Sequence, residues 1–234
     1  MTKPHYAIIG DTHGDMIWLL SILDDCRRLG VRTMFQLGDW GFLWSGKHGD
    51  AVTHLGDALA KRGQEMYFID GNHDFHPALR ARQAWPANVH YCRRGTTRAF
   101  PNADGRLVSV GFLGGAPSID KGQRLEGVDW WPEEEVVPEE LGTQIVDVLM
   151  THDAPALPPE FTGLPLDSVL EARCAAHREL IKQAVRTALP RRLFHGHYHY
   201  AYEASFEGIE VIGLDCNRKP GGYILVDHNF ETPR

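Results

Sequence analysis

The sequence lacks an excess of basic residues and lacks long apolar runs. Its 234 residues carry 24 Lys and Arg against 31 Asp and Glu, a formal net charge of −7. Because binding to phosphate backbones without sequence readout needs surplus positive charge, this balance argues against bulk nucleic-acid binding. Apolar runs stay well short of the roughly 18 residues that a membrane-spanning helix needs, so no membrane span is predicted.

Cysteine is also scarce, and its spacing is uninformative for metal or disulfide chemistry. The four cysteines form no C-x-x-C pair and no zinc-finger spacing, so reduced thiols are expected. They are Cys26, Cys92, Cys174 and Cys216. The N-terminus leads into a short apolar segment without the hydrophobic core or cleavage site of a signal peptide. Together these features predict a cytoplasmic protein.

The spacing of apolar residues predicts an α/β fold. In the first third of the chain, strand patterns alternate with helical patterns, which is typical of a parallel sheet with crossover helices. These strands are predicted at 5–10, 33–37 and 66–69, and the helices at 16–29 and 50–62. After about residue 88, strand patterns follow one another through short polar turns, so a second, mostly antiparallel sheet is expected. No long linker interrupts the pattern, and a single domain over residues 1–234 is predicted.

Thirteen histidines are present, and several cluster with Asp and Asn just beyond predicted strands. Five motifs share this placement: Asp11-Thr12-His13, Gly38-Asp39, Gly71-Asn72-His73-Asp74, Thr151-His152-Asp153 and Gly196-His197-Tyr198-His199. Each motif alone is weak, since Gly-Asp and Asn-His are ordinary turn sequences. In open α/β sheets, however, ligands bind at the carboxyl ends of strands, so five such ends can converge on one crevice.

Taken together, the motif side chains suit a metal centre. Imidazole nitrogen and carboxylate or carboxamide oxygen are ligands for hard and borderline divalent ions, and no thiolate joins them. A carboxylate such as Asp39 can bridge two ions roughly 3.5–4 Å apart, the spacing used for in-line displacement at phosphate esters. The motifs therefore indicate phosphoryl hydrolysis.

The ordered set D-x-H, G-D, G-N-H-D, H and G-H-x-H, which spans residues 11 to 199, resembles the calcineurin-like metallophosphoesterase superfamily. The resemblance implies an α/β four-layer αββα sandwich, in which two mixed β-sheets flanked by helices carry a dinuclear metal centre. It also implies the ligands of that centre. One ion would be held by Asp11, His13, Asp39 and His199, and the other by Asp39, Asn72, His152 and His197. Manganese is the favoured metal, with Fe, Zn, Ni and Co as alternatives.

His73 looks like the general acid of the family. The protein-phosphatase branch continues Gly-Asp-x-x-Asp-Arg-Gly, whereas this chain has Phe42 in place of the second Asp and lacks the Arg. Ser/Thr protein phosphatase activity is therefore disfavoured, and the partner that orients His73 stays open, with Asp74 as one candidate.

Contacts to the rest of the substrate are predicted from position along the chain. Asn72 and His76 flank His73, while Lys121 and Arg124 lie in a long Gly-rich loop at 114–131 that is a candidate substrate-facing segment. Four tryptophans either stack a base or pack in the core: Trp40, Trp44, Trp130 and Trp131.

These interpretations predict a phosphodiesterase that hydrolyses small, nucleotide-like phosphate esters. A hydroxide shared by two metal ions would attack phosphorus while His73 protonates the leaving oxygen. Two alternatives are a nuclease acting on short or single-stranded nucleic acid and a non-catalytic metal-binding scaffold. The presence of all seven ligands and of the acid favours an enzyme. The sequence leaves the oligomeric state open.

Overall fold

Two β-sheets packed face to face form the centre of the fold. The computed structural model describes residues 3–44, 50–81, 84–102, 104–161 and 166–232. In chain order the elements are β1 (Tyr6–Ile9), α1 (Met16–Leu29), β2 (Thr33–Gln36), α2 (Asp50–Arg62), β3 (Glu65–Phe68), α3 (His76–Ala81), β4 (Val89–Tyr91), β5 (Thr96–Pro101), β6 (Leu107–Leu113), β7 (Val148–Thr151), α4 (Ser168–Ala188), β8 (Arg192–His195), β9 (Tyr202–Phe206), β10 (Ile209–Gly213) and β11 (Tyr223–Val226).

Both sheets are mixed. The first has the order β11-β1-β2-β3-β4, with β11 antiparallel and the other strands parallel. The second has the order β5-β6-β7-β8-β10-β9, with parallel strands in the middle and an antiparallel pair at each side. The α/β prediction with two mixed sheets is thus confirmed.

The expectation of a mostly antiparallel second sheet was wrong. The pairs β6·β7, β7·β8 and β8·β10 are parallel, and β4 pairs with β3 in the first sheet instead of starting the second. Parallel neighbours need a long crossover. The segment from 114 to 147 connects β6 to β7, and α4 lies between β7 and β8, so both connections are long enough.

Aromatic side chains fill the space between the sheets. Tyr6 and Phe35 from the first sheet meet Phe100 from the second and Phe230 from the C-terminal segment, and the rings of Phe35 and Phe100 lie 4.9 Å apart. A second cluster covers the outer face of the first sheet with α1 and α2, and smaller clusters join the second sheet to α4. These clusters define the four layers of an αββα sandwich.

Helix ends follow ordinary capping chemistry. The Asp15 side chain accepts a hydrogen bond from the backbone N–H of Trp18 at 3.1 Å, and Gly30 ends α1 in the left-handed conformation. The helices predicted at 16–29 and 50–62 match α1 and α2. The short helix α3 was missed, because six residues are too few to show a helical period.

In the described ranges, none of the helices combines the length and the apolar character that crossing a membrane requires.

Candidate metal centre

The five sequence motifs follow β1, β2, β3, β7 and β8, and their side chains meet at one edge of the two sheets. One ligand atom from each of Asp11, His13, Asp39 and His199 lies within 4.8 Å of all the others. The Nε2 atoms of His13 and His199 are 3.0 Å apart, and His199 Nε2 is 3.0 Å from Asp11 Oδ2. The structure therefore brings together the four residues predicted for one ion.

The residues predicted for the other ion lie directly beside this group. Asn72 Oδ1 is 3.1 Å from His152 Nε2, which is 3.4 Å from Asp39 Oδ1. The ring of His197 has its centroid 5.1 Å from that of His152. Asn72, His152 and His197 thus form a second cluster around Asp39.

Asp39 lies between the two clusters, and its carboxylate oxygens face different partners. Its Oδ2 is 3.9 Å from His13 Nε2, whereas its Oδ1 faces His152 and accepts a hydrogen bond from the His73 backbone N–H at 2.7 Å. The side chain is only 1% exposed. This is the arrangement that a bridging carboxylate requires.

Four of the candidate ligands adopt backbone conformations that favour glycine. The φ angles of His13, Asp39, His197 and His199 are 45°, 51°, 69° and 49°. Non-glycine residues rarely adopt positive φ, and they cost free energy there unless their surroundings enforce it. Four such residues at one edge indicate that the positions required of the ligand side chains determine the conformation of these loops.

Two motif glycines make room for the ligands. A Cβ atom on Gly71 would collide with the Asp39 carboxylate and the His152 ring, and one on Gly196 would collide with the Asp11 carboxylate. Glycine is needed at both positions because these side chains approach the backbone directly.

Opposite charges compensate for burial in the centre. Burial by itself raises the pKa of Asp39, but His152, His73 and His13 outweigh it and hold the pKa well below its usual range. Burial opposes charge on His152, yet Asp39 and Asp11 raise its pKa above the ordinary histidine value. Asp11 raises the pKa of His199 in the same way against the effect of burial. The buried carboxylates thus favour positive charge at this edge, which is the property that a cation site requires.

The donor set fits divalent transition metals. Nδ1 of His152 donates a hydrogen bond to the backbone carbonyl of Leu37 at 2.7 Å, so Nε2, on the side of Asp39 and Asn72, is the nitrogen that would bind a metal ion. Imidazole nitrogens with carboxylate and carboxamide oxygens suit Mn, Fe, Zn, Ni and Co. The seven residues could hold two such ions.

The ring of His73 contacts Arg124, not Asp74. Arg124 Nη2 lies 3.0 Å from His73 Nε2 and also contacts Nδ1. The Asp74 carboxylate instead accepts hydrogen bonds from three backbone N–H groups, those of Trp40, Gly41 and Gly71. Asp74 therefore orients the loops around the centre, and its candidacy as the partner of His73 is not supported.

The structure does not bring His76 to the centre. His76 is buried at the start of α3 and lines a separate cavity of about 240 Å³ with Asp70, Tyr91 and Arg94. Its Nδ1 lies 3.9 Å from Asp70. His76 is only three residues from His73, but it lies on a different side of the fold because the chain enters α3 at this position.

The tryptophans and Lys121 pack against other side chains. Trp40 is buried and stacks on Phe68 with 4.1 Å between ring centroids, and Lys121 Nζ lies 3.9 Å above the ring of Trp130. Trp131 is buried as well. In the part of the chain that the structure describes, none of the four tryptophans lines the cavity beside the metal centre.

Sequence reasoning missed the residues that support the ligands. Ser118 Oγ accepts a hydrogen bond from Asn72 Nδ2 at 3.2 Å and donates one to the buried carboxylate of Glu134. The hydroxyl of Tyr198 donates to Asp153 at 2.9 Å, which ties together two motifs that carry ligands. Tyr198 and Asp153 lie within two of the five sequence motifs, and this position could have identified them as supporting residues.

The sequence of the chain matches the family model described as calcineurin-like phosphoesterase over residues 4–201. The match covers most of the chain, and the fold and the metal-site geometry agree with it. The chain belongs to the calcineurin-like phosphoesterase family, which implies hydrolysis of phosphate esters at a metal centre. No protein of curated function matched the sequence.

Solved structures with the same fold include three proteins of low sequence identity. The TT1561 protein of Thermus thermophilus is 12% identical with a TM-score of 0.58, over 92% of this chain and 90% of that one. The phosphopantetheinyl hydrolase of Mycobacterium tuberculosis is 13% identical with a TM-score of 0.53, over 96% of each chain. A candidate 5′-nucleotidase of Staphylococcus aureus is 13% identical with a TM-score of 0.54, over 90% of this chain and 48% of that one. At such identities, the likeness shows the fold alone.

Proposed function

We propose that the chain is a single-domain, dinuclear-metal-dependent phosphodiesterase that hydrolyses small, nucleotide-like phosphate esters, with Mn²⁺ as its favoured metal. The observation that carries this proposal is the position of Asp39, whose two carboxylate oxygens face separate groups of ligand atoms. One bridging carboxylate between two ligand clusters is the arrangement of a two-metal phosphoesterase.

Two divalent cations bound there would supply an activated water and would neutralise negative charge on the phosphate oxygens. The protein holds the ligands in place beforehand through the strained loops and through the hydrogen bonds to Leu37 and Ser118. Because the ligands need not reorganise during the reaction, their electrostatic effect is retained at the transition state.

His73 and Arg124 lie at the rim of this centre and carry the remaining roles. His73, next to Asn72, donates a proton to the leaving oxygen, a contribution typically worth about 10²–10⁴-fold in rate. Arg124 provides a guanidinium that binds a non-bridging phosphate oxygen. Asp120 holds that guanidinium through a hydrogen bond from Nε at 2.8 Å.

Small esters are proposed as substrates on the basis of charge and neighbouring folds. The net charge of −7 disfavours polymeric nucleic acid. Structural neighbours include a phosphopantetheinyl hydrolase and a candidate 5′-nucleotidase, whose names refer to small phosphate esters. A cytoplasmic location is part of the proposal, and the four unpaired cysteines support it.

The direct test is hydrolysis of bis-p-nitrophenyl phosphate beside p-nitrophenyl phosphate, in metal-free protein and after Mn²⁺ addition. Asp39→Ala is the loss-of-function variant, and Asp57→Ala, at an exposed position of α2, is the matched control. Mn²⁺-dependent turnover of the diester above the monoester, lost only in Asp39→Ala, is expected.

Other outcomes would redirect the assignment. Preference for the monoester would make the protein a phosphatase, and faster cleavage of short single-stranded oligonucleotides would make it a nuclease. Absence of turnover with two ions bound per chain would favour the scaffold.

A further inference from the structure

A cavity of about 550 Å³ extends from the metal centre towards α4. One end is formed by side chains of the centre, among them Asp39, Asn72 and His197. The other end is formed by the segment after β7 and by one face of α4. A molecule whose phosphate binds at the centre therefore has its organic part directed into this cavity.

Apolar side chains form much of the outer half of the cavity, the part away from the metal centre. Leu157 and Ile119 both line it and are 48% and 42% exposed, although both are large apolar side chains. Phe161 also lines it, with its ring centroid 5.3 Å from that of Tyr198 in an edge-to-face arrangement. Apolar surface exposed inside a concave site is stabilised when a ligand covers it.

The charged groups of the cavity are already paired. Arg178 Nη2 lies 3.2 Å from Glu171 Oε1, across two turns of α4. The carboxylate of Asp153 accepts hydrogen bonds from His177 Nδ1 at 2.7 Å and from the Tyr198 hydroxyl at 2.9 Å. Among the described residues that line the outer half, Arg178 is the one cation, and its charge is compensated. A second charged group would have to displace Glu171 from Arg178 and would lie among apolar side chains.

We propose that this cavity selects phosphate esters that carry a single phosphate and an uncharged, apolar substituent of the size of an aromatic ring. The ring would lie against Leu157, Phe161 and Ile119 while the phosphate binds at the metal centre. This inference rests on the proposed function for the position of the phosphate, and it adds the class of the organic substituent.

Binding of non-hydrolysable phosphonates tests the cavity without relying on turnover. Phenylphosphonate, methylphosphonate and 4-carboxyphenylphosphonate would be titrated calorimetrically into the Mn²⁺-loaded protein. We expect phenylphosphonate to bind roughly tenfold or more tightly than methylphosphonate, because its ring is buried against the apolar wall. 4-Carboxyphenylphosphonate is expected to bind less tightly than phenylphosphonate, because its carboxylate would lie among apolar side chains and Arg178 is already paired with Glu171.

Substitutions in the apolar wall test which residues produce the preference for phenylphosphonate. Leu157→Ala and Phe161→Ala should lower the preference for phenylphosphonate over methylphosphonate severalfold, and methylphosphonate should bind them as it binds the wild type. Leu107→Ala is the matched control, since Leu107 is 66% exposed at the N-terminal end of β6, the end opposite to the metal centre. It should keep the full preference.

The outcomes separate this inference from the proposed function. Equal affinity for phenyl- and methylphosphonate, tighter binding of 4-carboxyphenylphosphonate than of phenylphosphonate, or no binding of any phosphonate would overturn the cavity assignment, even in an active diesterase. Preference for phenylphosphonate in a protein that hydrolyses no ester would uphold the cavity assignment and refute the proposed function.

Discussion

The guanidinium of Arg124 lies against the imidazole ring of His73, with 3.0 Å between Nη2 and Nε2. A guanidinium only donates hydrogen bonds, and Nη2 contacts both ring nitrogens of His73, so the ring does not carry a proton on both nitrogens in this arrangement. Burial lowers the pKa of His73, and the positive charge of Arg124 lowers it further, against the opposing effect of Asp39. We expect a bound phosphate to draw Arg124 to its oxygens and leave His73 free to carry a proton.

Replacement of His73 by alanine should slow the reaction according to the leaving group. An alkoxide leaving group needs a proton, so we expect kcat to fall about 10²–10⁴-fold for dialkyl phosphate diesters that must expel an alcohol. A p-nitrophenolate leaves without that help, and the fall for it should be far smaller. Metal content, measured by elemental analysis, should stay at the wild-type value. Equal losses for both leaving groups would contradict the role of His73 as acid.

Arg124→Ala should weaken substrate binding more than it alters the metal centre. A charge-assisted hydrogen bond contributes about 1.5–3 kcal/mol, so KM is expected to rise roughly tenfold to a hundredfold. Arg124→Lys should recover part of the loss, because it keeps the charge and loses the fork geometry. Arg106→Ala, at an exposed position between β5 and β6, is the control and should leave KM unchanged. An unaltered KM in Arg124→Ala would contradict the role of Arg124 in binding the substrate phosphate.

The parts of the site that the sequence predicts are those set by local chain geometry. Asp11 and His13 are two residues apart just after β1, and His197 and His199 repeat that spacing after β8. Parallel strands carry such residues to a common edge, and so the ligand motifs could be identified without coordinates. The four-layer order was implied by the resemblance to the calcineurin-like metallophosphoesterases, and the alternation of strands and helices in the first third of the chain is consistent with it.

Contacts between distant segments could not be predicted in this way. Ser118 and Glu134 support Asn72 from a long loop whose path depends on packing, not on periodicity. His76 is close to His73 in sequence but enters a helix that directs it to another cavity. The parallel pairing of β6 with β7 likewise depends on a long crossover that looks, in sequence, like a loop.

Gly196→Ala should impair metal binding without unfolding the protein. The added Cβ would collide with the Asp11 carboxylate, which also accepts the backbone N–H of His197 at 3.1 Å, so the ligand must move. We expect Mn²⁺ affinity, measured by isothermal titration, to fall at least about tenfold, a loss typical when groups that orient metal ligands are disturbed. Gly122→Ala is the matched control, because a Cβ there meets no atom within 4 Å. Equal Mn²⁺ affinity in both variants would argue against Asp11 as a ligand.

The buried carboxylate of Glu134 should make stability depend on pH in a defined direction. Burial raises its pKa above the ordinary value of 4.5, although hydrogen bonds from Ser118 and the charge of Arg173 oppose this. A carboxyl whose pKa is raised on folding contributes stability that is present below its unfolded pKa and is lost as pH rises through its folded pKa. Glu134→Gln stays neutral, so it should gain free energy of unfolding relative to the wild type as pH increases.

Urea denaturation of the wild type and of Glu134→Gln, at about pH 4.5 and at pH 7, measures this difference. The free energy of unfolding of the variant minus that of the wild type should be more positive at pH 7, because only the wild type then holds a buried charge. Glu139→Gln removes a carboxylate from an exposed position nearby, and its difference from the wild type should change little between the two pH values. If the difference in free energy of unfolding between Glu134→Gln and the wild type were constant with pH, Arg173 and Ser118 would have to compensate the buried charge fully. The carboxylate would then act as a fixed anion that supports Asn72 through Ser118.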